Sequence, residues 1–279
     1  MRVCFTSDLH GAASLYEQLE ELLRAQTPDL LILGGDLFPD GERDDPLGTQ
    51  VAYVERDFIP RLASWRALAP RLTIACCVGN HEWRCAGDVL GRQHDAGRLV
   101  LLDHHRVWMH RGVSFLGYGL TPATPHWVKD FERLDLPIDP VPTFGGVVWD
   151  VARKAVRYVV PAAHFIPAGA ISTDLNSAVR AAPPWILVAH CPPYETKLDR
   201  LPTLPAQVGS RAVRQFIEVR QPLVSLHGHI HESPEVTGRY RDNIGQTLCI
   251  NPGQGPDRLH AVLFDSDNPV GTMRHTLYG

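Results

Sequence analysis

No apolar run in this 279-residue chain approaches the ~20 residues that a membrane-spanning helix needs. Positive charge is also short. The 27 Lys and Arg against 31 Asp and Glu give a formal net charge of −4. That argues against a general nucleic-acid surface, which neutralises many phosphates with Lys and Arg, though it is compatible with a local phosphate pocket. Cys4, Cys76, Cys77, Cys85, Cys191 and Cys249 show no C-x-x-C spacing, so they do not read as a zinc or redox motif. Four of them (Cys4, Cys76, Cys77, Cys249) lie in apolar strand-like runs and read as reduced, buried thiols; Cys191 stands beside a histidine and is left open. There is no internal repeat and no low-complexity tract. MRVCFTSDLHG passes from a single Arg straight into a strand, without the apolar core of a secretory leader. A cytoplasmic location is the expectation.

What is present is the composition of an ordinary globular protein, 44% hydrophobic and 21% charged, long enough to bury a full core. RVCFTS, DLLILGG and LTIACCVG read as strands, separated by helical periodicity in SLYEQLEELLRA and over residues 47–68. Such alternation predicts βαβ units, a largely parallel sheet, and ligands at the carboxyl ends of its strands. Shorter strands follow (LVLLD, RVWMH, VSFLGYG). Residues 121–184 interrupt the pattern; they are rich in Pro, Gly and aromatics, with a helix expected around 147–160. They read as an insertion or partial cap within a single domain spanning 1–279. WILVAH, a helix near 211–219, LVSLHG, and strand-like EVTGRY, TLCINPG and LHAVLFD complete the chain.

Polar residues recur where these apolar runs end: Asp8 and His10 in SDLHG, Asp36 in LGGDLF, Asn80 and His81 in VGNHE, His190 in VAHCPP, His229 and His231 in LHGHIHE. Singly, each has a bland reading. Asp8 or Asp36 could cap a helix or a turn, and Asn80 after Gly79 could be only a turn. Together they are the donor types that hold hydrolytic metal ions. In G-H-I-H an extended backbone would point both histidines to one face. His227 shares that parity but reads first as a hydrogen-bonded core residue. His94, His104, His105, His110, His126, His164, His260 and His275 read as surface or packed histidines, with His126 and His164 placed in the insertion where a substrate could come near.

The runs Asp8-Leu9-His10, Gly35-Asp36, Gly79-Asn80-His81-Glu82, lone His190, and Gly228-His229-Ile230-His231 come in the order that resembles the calcineurin-like metallophosphoesterase superfamily. The resemblance covers residues 2 to about 255. It implies a four-layer αββα sandwich, with two mixed β-sheets flanked by helices. It also implies a binuclear metal centre in which Asp36 bridges, Asp8, His10 and His231 complete one site, and Asn80, His190 and His229 complete the other. His81 would face the substrate and protonate the leaving oxygen, which is general-acid work. A mixed Asp/Asn/His shell suits Mn²⁺ or Fe, with Zn²⁺ also admitted, better than Mg²⁺ or Ca²⁺. Glu82 is a candidate to orient a histidine ligand. Tyr194 and Lys197, in PPYETKLDR, are substrate-contact candidates, and Asn251-Pro252-Gly253 is read as structural.

The implied activity is hydrolysis of a phosphodiester or small organophosphate by direct attack of a metal-bridging hydroxide. Protein phosphatases of the superfamily carry G-D-x-V-D-R-G, and GDLFPDGERDD lacks that Arg at the matching place. Phosphomonoester hydrolysis is the alternative, and a non-catalytic scaffold binding a protein partner a remoter one. A small phosphate ester is the expected partner; a homo-oligomer is left open. Arg200, Arg211, Arg214 and Arg220 read as a solvated helix face rather than a nucleic-acid stripe.

Overall fold

The computed structural model describes Met1–Gly279. Two six-stranded mixed sheets lie face to face. The first runs, edge to edge, Arg274–His275, Val262–Asp265, Arg2–Thr6, Leu30–Leu33, Thr73–Cys76, Val100–Leu101. The second runs Arg241–Ile244, Thr247–Ile250, Val224–Leu226, Trp185–Ala189, Val113–Tyr118, Trp108–His110. In each, neighbouring inner strands are parallel and antiparallel strands cover an edge.

The near-continuous apolar runs have a physical reason: both faces of these strands are buried. Side chains alternate across a strand, so Val3 and Phe5, Leu30 and Ile32 pack between the sheets against Phe115, Ile186, Val188 and Leu226. The intervening Cys4, Leu31 and Leu33 turn outward against Leu15, Tyr16, Leu19 and Leu23 of the helix Ala13–Gln26. On the far side Leu116, Leu187 and Ala189 meet Val213, Phe216 and Ile217 of Arg211–Arg220. That helix starts at Ser210, whose hydroxyl accepts the Val213 N–H at 3.0 Å, an N-cap. The result is the expected αββα layering. No helix is long and apolar enough to cross a membrane, and all six cysteines are free and buried.

Several local expectations fail. The stretch 147–160 is not a helix but a hairpin, Gly146–Asp150 paired with Ala155–Val159, followed by the helix Pro161–Ala168. Alternating β-branched and aromatic residues favour the strand, and Asp150 closes the turn by accepting the Arg153 N–H at 3.0 Å. EVTGRY begins inside a short helix, Ser233–Thr237, and Gly238 ends it in the left-handed region. The helix Arg84–Asp95 went unread because only Cys85, Ala86, Val89 and Leu90 among its residues supply apolar burial.

Candidate active site

The strands Arg2–Thr6, Leu30–Leu33 and Thr73–Cys76 are adjacent and parallel, so the loops bearing Asp8 and His10, Asp36, and Asn80 and His81 emerge at one edge. In the second sheet Trp185–Ala189 and Val224–Leu226 are likewise adjacent and parallel, delivering His190 and the 228–231 loop. The candidate ligands and His81 therefore converge at the common carboxyl end of the two sheets.

Backbone geometry there is unusual. Asp8, His10, Asp36 and His229 all have left-handed φ, at 58°, 44°, 52° and 64°. Each such non-glycine residue costs of order 1–3 kcal/mol, and such strain gathers at functional sites. His229 in the left-handed region also means that G-H-I-H is a turn. Its histidines reach the site through that turn rather than through strand alternation. Hydrogen bonds hold the turns in place. Asp8 N–H donates to the Gly35 carbonyl and His10 N–H to the Asp36 carbonyl, both at 3.0 Å. His229 N–H donates to both Asp8 carboxylate oxygens at 3.0 and 3.1 Å. Asn251 Nδ2 ties down the carbonyls of Gly228 and Ile230 at 3.2 and 3.0 Å, which is the structural role expected of it.

Glu82 has a different job from the one expected. It orients no histidine ring. Its buried carboxylate accepts the N–H groups of Asp36, Leu37 and Gly79 at 2.9, 2.7 and 2.6 Å, with Phe38 N–H at 3.4 Å. One carboxylate thus stitches two ligand loops together. Burial, then the nearby Asp36, push its pKa up to about 7 against those N–H bonds.

Three groups of ligand atoms each lie within 4.8 Å of one another: His10, Asp40, His81; Asp8, His10, Asp36; and Asp36, His190, His229. The last two share Asp36. Around it the donors fit cations on two observations. Asn80 Oδ1 and His190 Nε2 are buried without a hydrogen-bond partner. A Cβ on Gly79 would collide with the Asp36 carboxylate and His190 Nε2, so glycine leaves that space open. His190 donates Nδ1–H to the Gly34 carbonyl at 2.8 Å, which turns Nε2 toward Asp36 Oδ2 at 3.1 Å. Burial opposes charge on His190, yet the Asp36 carboxylate outweighs it and raises the pKa to about 9. The Asp36 carboxylate thus favours positive charge beside His190 Nε2. His231 stands outside all three groups, its ring centroid 5.9 Å from that of His10, but it lines the same cleft.

His81 belongs to neither shared group. Its N–H donates to Asp36 Oδ1 at 2.9 Å, and its Nδ1 sits 2.6 Å from Asp40 Oδ1. Burial disfavours the imidazolium, but Asp36 and Asp40 prevail and lift its pKa to about 9. Asp40 was missed by sequence reading, although it lies only four positions beyond Asp36 in GDLFPD.

The cleft over these residues has a volume of about 330 Å³. One wall is Pro122–His126, and the other comprises Leu201, Leu204 and Val208, with Ile230 beside the floor. No Lys or Arg lines it. Its one lining hydroxyl, on Thr124, donates to Glu132 Oε1 at 2.5 Å. The second wall was not read from sequence. It rests on Asp199, whose carboxylate accepts the N–H groups of Glu195, Thr196 and Gly209, each at 3.1 Å.

Other candidates fall elsewhere. Lys197 faces a different depression, beside Tyr240 and Asp242, and Tyr194 is not among the cleft residues. His227 is a core residue: Nδ1 reaches the Ala189 and Cys191 carbonyls at 2.8 and 3.1 Å, and Nε2 the Ser225 hydroxyl at 2.8 Å. His164 bonds the Lys129 carbonyl at 3.1 Å. His126 does reach the cleft and stacks on His81, ring centroids 3.8 Å apart. Arg214 pairs with Glu218 at 2.8 Å and Arg211 with Asp135 at 3.4 Å, as a solvated face would.

Comparison with known proteins follows the same line. A family model described as calcineurin-like phosphoesterase matches residues 1–233. No curated protein matches the chain. One solved structure superposes with a TM-score of 0.62 at 16% identity, covering 100% of this chain and 99% of the other. TT1561 of Thermus thermophilus does so with a TM-score of 0.56 at 16% identity, over 100% and 99%. At such identity the likeness is one of fold.

Proposed function

Since the chain belongs to the calcineurin-like phosphoesterase family, and so is a hydrolase of phosphate esters, we propose that its cleft cleaves small organic phosphodiesters with the help of two metal ions. The observation that carries this reading is the pair of ligand groups sharing Asp36 beneath a cleft without Lys or Arg. A dianionic monoester gains most from a guanidinium clamp. A diester has one charge fewer and a second substituent, which the apolar walls 122–126 and 201–208 can cover.

Asp8, His10, Asp36 and His231 would hold one ion. Asp36, Asn80, His190 and His229 would hold the other. Mn²⁺ or Fe suits these donors, and Zn²⁺ is admitted. Bound there, two divalent cations would supply Lewis-acid activation of the phosphoryl group and of the attacking water. The chain's own groups do the rest. Asp40 fixes the His81 ring through Nδ1 at 2.6 Å, so the other ring nitrogen holds a proton for the leaving oxygen. The Thr124 hydroxyl is engaged by Glu132, so the cleft walls offer no free alcohol or thiol as a nucleophile, and water attacks directly.

The test is turnover of bis(4-nitrophenyl) phosphate and 4-nitrophenyl phosphate with Mn²⁺, Fe²⁺ or Zn²⁺ added. The diester is expected to be the better substrate. A higher kcat/KM for the monoester overturns the diester assignment, and no turnover with any metal overturns the activity.

A further inference from the structure

We propose that His126 is a substrate-contacting residue, donating its Nε2–H to an oxygen of the phosphoryl group or of its leaving group. The inference rests on the hydrolase reading above and adds a residue that no ligand pattern contains.

Three observations converge. His126 lines the cleft beside His81 and above Asp36 and Asn80. Its ring lies 3.8 Å from that of His81, tilted by only 25°, so it covers one face of His81 and stands next to any group that His81 serves. Its Nε2 is buried and has no hydrogen-bond partner in the protein. A buried polar atom left unpaired is costly, and in folded proteins nearly all such atoms find a partner. A phosphate ester in the cleft would supply one.

The ring is held there by a device larger than a loop normally requires. Lys129 and Glu132 form an ion pair at 2.8 Å with both side chains fully buried. The Lys129 ammonium also binds the Thr124 carbonyl at 2.7 Å, as well as the carbonyl of His126 itself. Thr124 completes the frame: its hydroxyl donates to Glu132 while accepting the His126 N–H at 3.2 Å. A buried charge pair thus fixes the backbone on both sides of the ring. A residue that merely filled space would need no such frame. Lys129 is accordingly a positioning residue, and His126 is what it positions.

His126→Phe keeps the ring and the stack but removes the nitrogen; His126→Ala removes both. With bis(4-nitrophenyl) phosphate, kcat/KM is expected to fall about 10- to 100-fold in both variants, the loss expected for a hydrogen bond to a charged group. Metal content and thermal melting should stay as in the wild type. A second readout needs no turnover: calorimetric binding of phenylphosphonate to the metal-loaded protein should weaken about tenfold or more in both variants. A Phe variant equal to wild type while Ala is impaired makes His126 a packing residue and overturns the proposal, as does wild-type behaviour of both. Should the wild type hydrolyse no phosphodiester, the activity reading falls on its own, and phenylphosphonate binding still decides the contact: equal affinity in all three proteins overturns it.

Discussion

The floor and the walls of the cleft are built on different principles. The floor is a set of strand ends in two sheets, cross-tied by backbone hydrogen bonds and by Glu82, with four of its polar residues in left-handed backbone. The wall Pro122–His126 is a loop held by a buried ion pair, and the wall Leu201–Val208 is a loop shaped by the Asp199 carboxylate. In the floor the chemistry dictates residue type position by position. In the walls it dictates only that something rigid and largely apolar be present. Change in the floor should therefore abolish function, whereas change in the walls should alter stability or preference first.

Asp36→Ala is the severest test of the floor. Both ligand groups lose their common member, so metal analysis should find neither site filled and diester turnover should vanish. Full metal occupancy in the variant would break the sharing that sets floor apart from wall. His81→Ala comes next. It contributes no atom to either shared group, so metal should be retained while kcat falls about 10²- to 10⁴-fold, the usual range for a positioned acid. An unchanged kcat removes its assignment.

The comparison also explains what could be read in the sequence. Strands buried on both faces write themselves as apolar runs, and ligands at their ends must be Asp, Asn or His. The parallel strands and the polar set Asp8, His10, Asp36, Asn80, His81, His190, His229 and His231 at their ends were therefore legible before any coordinates, whereas the two-sheet sandwich followed only from the family resemblance. Asp40 was not, because a carboxylate that pairs with a histidine through space looks like any loop aspartate. The 201–208 wall was not, since Leu201, Leu204 and Val208 follow no period. Two errors have the same root. Residues 147–160 have apolar content compatible with either helix or strand, and the turn at Asp150 decides between them. G-H-I-H sits after a strand, but His229 leaves it with a left-handed φ of 64°, a backbone choice that residue identity does not announce.

The wall carries a stability signature of its own, of the same sign as that of Glu82 in the floor. Glu132 has its pKa raised from 4.5 to about 7, burial outweighing Lys129 and Thr124, while burial lowers that of Lys129. Both partners are thus pushed toward their neutral forms, so their attraction does not repay desolvation. The sign follows by linkage. Between about pH 4.5 and 7 the folded state binds the Glu132 proton more tightly than the unfolded state, so this group makes stability fall as pH rises through that window. Glu132→Gln should flatten that slope in denaturant melts; an unaltered slope removes Glu132 as its source. Lys129→Met should cost about 3–5 kcal/mol by stranding the carboxylate, and Lys129→Met with Glu132→Leu should recover most of it. Failure of the pair to recover would mean that the ions contribute more than the frame around them.

The smallest effect expected returns to the floor, and there the sign is reversed. His229 carries a left-handed φ of 64°, and its N–H bond to Asp8 is made by backbone, not by the ring. His229→Gly keeps that bond and relieves strain of order 1–3 kcal/mol. It gives back about 0.4–1 kcal/mol through the freer unfolded chain. The metal-free protein should therefore gain about 1 kcal/mol, read as a rise in the denaturant midpoint, while the affinity for the ion shared with His190 and Asp36 falls. A loss of stability in the metal-free variant would show that the His229 ring, and not the ion it would bind, holds the turn together, and the floor would then be built on the same principle as the walls.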